Sequence, residues 1–301
     1  MKFRHAIITR FNVRYRESAH KRLEAKGVNP LWLAERFDLF EKYCLPTVLA
    51  QTCQEFVWFI YFDSATPSVF IERAHGARAC RDNIRLVFCD VYDQGLLERD
   101  LRDELVPEPE WLLTTRLDND DGLQRDFVKR LHETLRFSGT EALNFPNGIV
   151  YTGHRTYLYR HESNAFLSLL EPFDGFKTVL FVQHPEMPKV APVRQIEGDP
   201  AWLQVVHQSN ISNRVRGRRV PAARVLDGFA IAGEGTAPQR SEAPLTLWLD
   251  NLVYGAWRFA RDKGIEIAKW LRRAARPRRS NGPQTGSAAY ISRVSDRLWC
   301  C

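Results

Sequence analysis

Seven consecutive apolar residues, Phe56-Val57-Trp58-Phe59-Ile60-Tyr61-Phe62, run without a polar interruption and stop at Asp63. Side chains on a strand alternate between faces, so a run with no alternation has to be covered on both. Such a strand belongs in the middle of a parallel sheet with helices above and below it. The flanking sequence agrees. His5 to Phe11 reads as a first strand, Ile84 to Cys89 as a third ending at Asp90, and Trp111 to Leu117 as a fourth ending at Asp118. Helices are expected between them. Asn29-Pro30 offers a capping side chain and a first-turn proline, followed by Leu33, Phe37, Phe40 and Cys44 at helical spacing. A short helix is expected after Pro67, another over Leu96 to Val106, and a further one with Leu123, Phe127, Leu131 and Leu135 on one face. Strands alternating with helices over about 130 residues predict an α/β fold with a Rossmann-like, mostly parallel sheet.

After Gly139 the segments shorten. Ala142 to Phe145, Ile149 to Thr152 and Arg155 to Tyr159 predict antiparallel hairpins, with Asn147-Gly148 as a turn. Thr178 to Val182 reads as another strand, and Trp202 to His207 as an apolar run ending at a histidine. The expected organisation is one domain over residues 1–225, a Gly/Ala/Pro-rich linker over 226–244, and a basic helical tail over 245–301.

The net charge of +7 sits in that tail: Arg258 to Arg279 carries nine Lys/Arg against Asp262 and Glu266, which equals the whole excess. With the basic surface confined there and no recognisable module, no nucleic-acid partner is expected. None of the six cysteines forms a CxxC pair, so neither a disulfide framework nor a zinc site is predicted, and a cytoplasmic location fits. The first residues carry no signal-like apolar stretch, and no run reaches the roughly 18 apolar residues of a membrane span. In the tail, Trp248, Leu249, Leu252, Val253, Trp257 and Phe259 are followed by and mixed with basic residues. This composition suits a helix lying on an anionic membrane surface, or equally one packed on the domain with a basic outer face. Terminal Cys300-Cys301 is read as chance rather than a lipid acceptor.

Ligands bind open α/β sheets beyond the carboxyl ends of the strands, where Asp63, Asp90 and Asp118 all fall. The richest segment is Arg116-Leu117-Asp118-Asn119-Asp120-Asp121-Gly122. In extended backbone Asp118 and Asp120 point to one side, and Asp121 sits beside them at the turn into a helix. Clustered carboxylates repel, and a hard divalent cation, Mg²⁺ or Mn²⁺, relieves the repulsion and prefers oxygen ligands. Such an ion can bridge to a diphosphate and act as a Lewis acid. A calcium loop fails on spacing, because Gly122 falls at position five and Lys129 where a bidentate glutamate is needed. The bland alternative is an acidic helix start stabilised by the helix dipole.

Thr114-Thr115-Arg116-Leu117-Asp118-Asn119-Asp120-Asp121-Gly122 resembles the pattern of the bacterial putative rhamnosyl transferases. Glu41-Lys42-Tyr43-Cys44-Leu45-Pro46-Thr47-Val48 with Gln51-Thr52, and Trp202-Leu203-Gln204-Val205-Val206-His207-Gln208-Ser209-Asn210, are similar to that family too. The resemblance covers roughly residues 1–220, with a weaker likeness to glycosyltransferase family 2. It implies a GT-A fold, helices on both sheet faces, a small antiparallel extension and a nucleoside-diphosphate sugar donor, rhamnose by the family's name. It further implies Asp120 as a direct ligand of Mn²⁺ or Mg²⁺, and Asp118 on the ribose or a metal-bound water, with Asp121 beside them. Thr9, Arg10, Asp63 and Asp90 would line the nucleotide pocket, and Arg116 counts among the nucleotide-binding residues. The acceptor expected is a surface glycan or a lipid-linked precursor.

The remaining candidates follow from that chemistry. His207 is a candidate late metal ligand, with a backbone-bonded histidine as the alternative, and His184 stands behind it. Inverting transfer needs a carboxylate base near the acceptor hydroxyl, for which Asp199 and Glu197 are the best offers, then Asp174; retaining transfer needs none. Arg214, Arg216, Arg218 and Arg219 suit a diphosphate or a solvated loop. Asn210-Ile211-Ser212 matches a glycosylation sequon, read here as chance. The rivals are a nucleotidyltransferase, whose Gly-rich phosphate loop is missing after the first strand, and an inactive membrane-bound scaffold, which would lose the aspartates.

Overall fold

The computed structural model describes residues 2–15, 27–207, 215–233 and 243–274. Four strands alternate with helices: β1 (Phe3–Arg10), α1 (Pro30–Leu39), α2 (Leu45–Leu49), β2 (Val57–Asp63), α3 (Ser68–Ala79), β3 (Ile84–Cys89), α4 (Gln94–Glu104) and β4 (Trp111–Arg116). Then come β5 (Gly122–Leu123), α5 (Phe127–Glu133), β6 (Glu141–Asn144), β7 (Asn147–Tyr151), β8 (Thr156–Arg160), β9 (Ser168–Pro172), β10 (Val193–Gln195), β11 (Trp202–Val205), β12 (Arg218–Val220) and the short α6 (Ala222–Val225). The tail holds α7 (Pro244–Leu249), a π-helical turn at Asp250–Tyr254, and α8 (Gly255–Ala274).

The large sheet runs β10-β6-β9-β4-β1-β2-β3. β1 through β4 are mutually parallel, and β9 enters antiparallel between β4 and β6. Every residue of β2 is buried, which is what its unbroken apolar run requires. One face packs Ile7, Trp58, Ile60 and Phe62 against Phe37 and Phe40; the other packs Ala6, Ile8, Phe59 and Tyr61 against Leu97 and Leu101. This is the mixed α/β, mostly parallel architecture expected from the alternation. The smaller sheet, β12-β8-β7-β11-β5, is the expected extension, antiparallel except for the β7–β11 pair.

α1 begins where the capping signal placed it: the Asn29 side chain accepts from the Leu31 and Trp32 amides. A π-helical turn at Phe40–Cys44 then links α1 to α2.

Four expectations need correction. Leu123 opens no helix; Gly122–Leu123 is a short strand pairing with β11, and the helix starts at Phe127. Asn147-Gly148 is not a turn but the start of β7, and a Cβ at Gly148 would lie 2.0 Å from the Trp202 ring, so the glycine is there for close approach. The hairpin turns instead at Gly153, with φ of 86°. Thr178 to Val182 is no strand, because Thr178 takes φ of 67° while the Glu171 carboxylate accepts from the Lys177 and Thr178 amides. The domain also continues past residue 225: Leu226, Phe229 and Ile231 pack with Tyr43, Ile149 and Leu203, and the Ala232 amide donates to Lys42 O.

Candidate functional site

The carboxyl ends of β1, β2 and β4 converge at one sheet edge, and the acidic loop 117–121 follows β4 directly. The loop is held from below by the helical layer. Leu123 N donates to Thr47 Oγ1, and a Cβ on Gly122 would lie 3.0 Å from the Thr47 side chain. Gln51 donates to Gln124 O and accepts from Val128 N, fixing where α5 begins. Asn119 turns inward and donates to Phe11 O, so the aspartates on either side of it face other ways.

The three carboxylates have different environments. Asp118 is the open one, its side chain 37% exposed, and Arg116 grips it with Nε at 3.1 Å and Nη2 at 2.8 Å. Burial raises its pKa, but the Arg116 charge and hydrogen bonds more than offset that and leave it below the ordinary value. Asp120 is buried; its Oδ2 accepts from Arg36 Nη1 at 2.6 Å and lies 2.9 Å from His207 Nε2. Burial raises its pKa too, yet the His207 hydrogen bond and the Arg36 guanidinium pull it below normal. Asp121 is 1% exposed and accepts from the Val205 amide at 2.9 Å. Burial, then repulsion from Asp120 and Asp118, pushes its pKa well above the ordinary value.

Asp120 and His207 therefore meet at one point, with Arg36 Nη1 also 3.4 Å from His207 Nε2. This pair fits an oxygen- and nitrogen-bound divalent cation at the place the guanidinium takes. Asp118 and Asp121 are directed to Arg116 and Val205 instead, so the four expected metal residues do not share one centre. Arg36 is the residue that sequence reasoning missed. It lies in the last turn of α1, 84 positions from Asp120, and helical spacing alone gives no sign of that contact.

The nucleotide-side residues divide as well. Arg10, half-buried at the end of β1, lies within electrostatic reach of Asp118. Thr9 is a correction: it is fully buried and its hydroxyl accepts from Trp58 Nε1 at 2.9 Å, so the side chain belongs to the core. Asp63 is also fully buried, paired with Arg14 at 2.6 Å and accepting from the Ala65 amide. Asp90 is exposed and hydrogen-bonded to the Ser64 hydroxyl.

The expected bases lie elsewhere. β11 runs toward Val205 and His207, so Asp199 and Glu197, which precede it, sit at its far end from Asp120. Glu197 is 60% exposed and clamped by Arg160, while Arg130 donates to the Asp199 carbonyl. Asp174 follows β9, which ends beside Trp111 at the start of β4, the opposite sheet edge. His184 Nδ1 bonds the Ser163 carbonyl, and its pKa is lowered to about 4, by burial first and the Arg116 charge second. Arg219 forms a buried pair with Asp250, and Arg216 donates to the Tyr159 hydroxyl. Arg218 is exposed. Arg214, the Asn210-Ile211-Ser212 sequon and Cys300-Cys301 lie outside the described residues.

Beside His207 opens a cavity of about 450 Å³, lined by Leu39, Tyr43, Thr152, Gly153, Val205 and Val206. It lies between the π-helical turn and the β7–β8 hairpin, adjoining Asp120 through His207.

Residues 2–219 match the family model described as "Putative rhamnosyl transferase". No curated protein gives a significant match. Among solved structures the chain is similar to S. aureus TarS residues 1–349 in complex with UDP-GlcNAc, at 10% identity and a TM-score of 0.41, covering 70% of this chain and 60% of that one. It spans 37% of the longer TarS chain. A second similarity, at 11% identity and a TM-score of 0.35, covers 82% of this chain and 94% of a "putative nucleotide-diphospho-sugar transferase" from Desulfovibrio desulfuricans G20. A third is 4-diphosphocytidyl-2C-methyl-D-erythritol synthase from Anaerococcus prevotii, at 13% identity and a TM-score of 0.35, covering 66% of this chain and 88% of that one.

Proposed function

The chain belongs to the putative rhamnosyl transferase family, and from that membership we propose that it moves a sugar from a nucleoside-diphosphate donor to an acceptor hydroxyl. The observation that carries the reading is the meeting of Asp120, His207 and Arg36 at the carboxyl edge of the sheet, beside an open cavity. Departure of a nucleoside diphosphate builds negative charge on its phosphates, and transfer accelerates where positive charge is already fixed at that place. Arg36, Arg116 and Arg10 supply guanidinium groups around the aspartates. Asp120 and His207 would hold Mn²⁺ or Mg²⁺, which when bound supplies Lewis-acid charge to the diphosphate. Asp118, the most exposed of the three carboxylates, is the one left to meet a ribose. Asp121 fixes the strand that brings His207 in, through the Val205 amide. The cavity against Tyr43 and Val205 is where the acceptor would approach.

The tail supports a membrane-facing acceptor. It is joined to the domain where Asp250 pairs with buried Arg219, where the Asn251 side chain bonds both the amide and carbonyl of Arg219, and where Arg261 donates to the Val215 carbonyl. Away from these contacts Leu245, Trp248, Leu252, Val253 and Trp257 are each more than half exposed. No helix among the described residues is long and apolar enough to cross a membrane. Contact with an anionic lipid surface through these side chains would bring a lipid-linked acceptor to the cavity.

Calorimetric titration with dTDP, UDP and GDP, with and without Mn²⁺, tests the reading. Binding of one nucleotide that strengthens with Mn²⁺ is expected. No binding to any of them overturns the donor assignment.

A further inference from the structure

Among the described residues one group of three side chains, Cys53, Glu55 and His132, brings a sulfur, a carboxylate oxygen and a ring nitrogen within 4.8 Å of one another. It lies at the opposite edge of the sheet from the aspartates. Cys53 and Glu55 occupy the loop entering β2, and His132 is near the end of α5, whereas the acidic loop follows the carboxyl end of β4. From this cluster we propose a second metal site, for a borderline-soft divalent ion such as Zn²⁺, separate from the transfer chemistry.

The donor set is the first ground. Thiolate, imidazole and carboxylate together suit Zn²⁺ and not Mg²⁺. Cys53 Sγ and His132 Nδ1 are 3.6 Å apart. A tetrahedral Zn²⁺, with bonds of about 2.3 Å to sulfur and about 2.0 Å to nitrogen, holds those two atoms about 3.5 Å apart. Glu55 is exposed and its carboxylate is free to swing the remaining distance. Three protein ligands leave one position for water, so the ion would be exchangeable.

The second ground is the support behind His132. Its Nε2 lies 3.0 Å from His5 Nδ1, His5 Nε2 lies 2.8 Å from Thr115 Oγ1, and Thr115 Oγ1 lies 2.6 Å from Ser168 Oγ. One of the two polarities of this chain has His132 Nε2–H donating to His5, His5 Nε2–H to Thr115, and the Thr115 hydroxyl to Ser168. That polarity leaves the lone pair of His132 Nδ1 facing Cys53, as a metal ligand requires. Phe3 stands edge-on to the His132 ring at 5.0 Å and holds its plane. The loop is preformed too: Gln54 Nε2 donates to the carbonyls of Val48, Leu49 and Gln51. Binding displaces the Cys53 thiol proton to solvent and ties α5 to the loop before β2.

The full-length protein, stripped with chelator, is titrated with CoCl₂ and separately with ZnCl₂. One Co²⁺ per chain with a thiolate charge-transfer absorption is expected, bleached by Zn²⁺, together with a Zn²⁺-dependent rise in Tm. Cys53→Ser should abolish the absorption, and His132→Ala should weaken Co²⁺ binding at least about tenfold. Asp120→Asn, at the other sheet edge, should keep both signals, as should the double variant Cys300→Ser/Cys301→Ser. Absence of the absorption in the unaltered protein, or its survival in Cys53→Ser, overturns the site. Circular dichroism matching the unaltered protein separates lost ligation from lost folding.

Discussion

Arg36 donates to the Asp120 carboxylate at 2.6 Å, and the same nitrogen stands 3.4 Å from His207 Nε2. A guanidinium carried on α1 thus neutralises a buried carboxylate at the place a divalent cation would take. Two cations cannot share that place, so occupancy by one opposes the other.

Replacing Arg36 by Met should therefore separate two effects. Mn²⁺ binding, followed by calorimetry without nucleotide, should tighten by about fivefold or more once the competing charge is gone. Nucleoside diphosphate binding should weaken, because a phosphate partner is lost. Unchanged Mn²⁺ affinity would remove Arg36 from the ion's position.

Asp120→Asn keeps the shape of the side chain and removes its charge. Sugar transfer should fall by about 100-fold or more, and the stimulation of nucleotide binding by Mn²⁺ should disappear. A variant that still transfers sugar at the original rate would take Asp120 out of the site.

Asp121 predicts a pH signature. Its pKa is raised in the folded chain by burial and by its two neighbours, so the folded state holds that proton more tightly than the unfolded state does. The resulting stabilisation is complete below the ordinary carboxylate range and is lost as pH rises through the folded value. Asp118 and Asp120, with lowered values, act oppositely and lose their contribution as pH falls. Asp121→Asn keeps an acceptor for the Val205 amide without the charge. In chelator at neutral pH it should melt about 2–4 °C above the unaltered protein, and the gain should shrink toward acid pH. An equal gain at every pH would contradict the assignment.

Much of this fold is written locally. The unbroken run before Asp63 demanded a two-sided environment, and β2 has one; the Asn29 cap and the aspartates after β3 and β4 fall where local pattern put them. What sequence did not carry depends on contacts between distant residues. Asn147-Gly148 has the composition of a turn, and only the Trp202 ring explains the glycine. Asp199 and Glu197 have the chemistry of a base, but the direction of β11, which local sequence does not carry, takes them away from Asp120. Thr9 sits at a strand end but points into the core, because Trp58 needed an acceptor.

Gly148→Ala tests the close approach. The new methyl group would overlap the Trp202 indole, whose Nε1 donates to the Phe145 carbonyl. Displacing that ring should destabilise the protein by about 3 kcal/mol, seen in denaturant unfolding and in a shifted tryptophan emission. A stability unchanged by the substitution would mean that β7 and β11 are not so closely packed.

The tail is best tested by charge rather than by removal. Trp248→Glu with Leu252→Glu alters exposed positions and should lower partitioning onto anionic vesicles by about tenfold or more. The variant should keep its nucleotide binding. Equal co-sedimentation of the two proteins would exclude these side chains from lipid.

Asn251 shows why truncation would mislead. β12 is the outermost strand of the small sheet, and the Asn251 amide group bonds the Arg219 N–H and C=O as a neighbouring strand would. An uncovered strand edge is a template for pairing with another chain. The tail therefore covers part of that edge, and a chain cut before residue 245 would leave it open to such pairing. Clumping of such a shortened protein would report that bare edge and nothing about lipid.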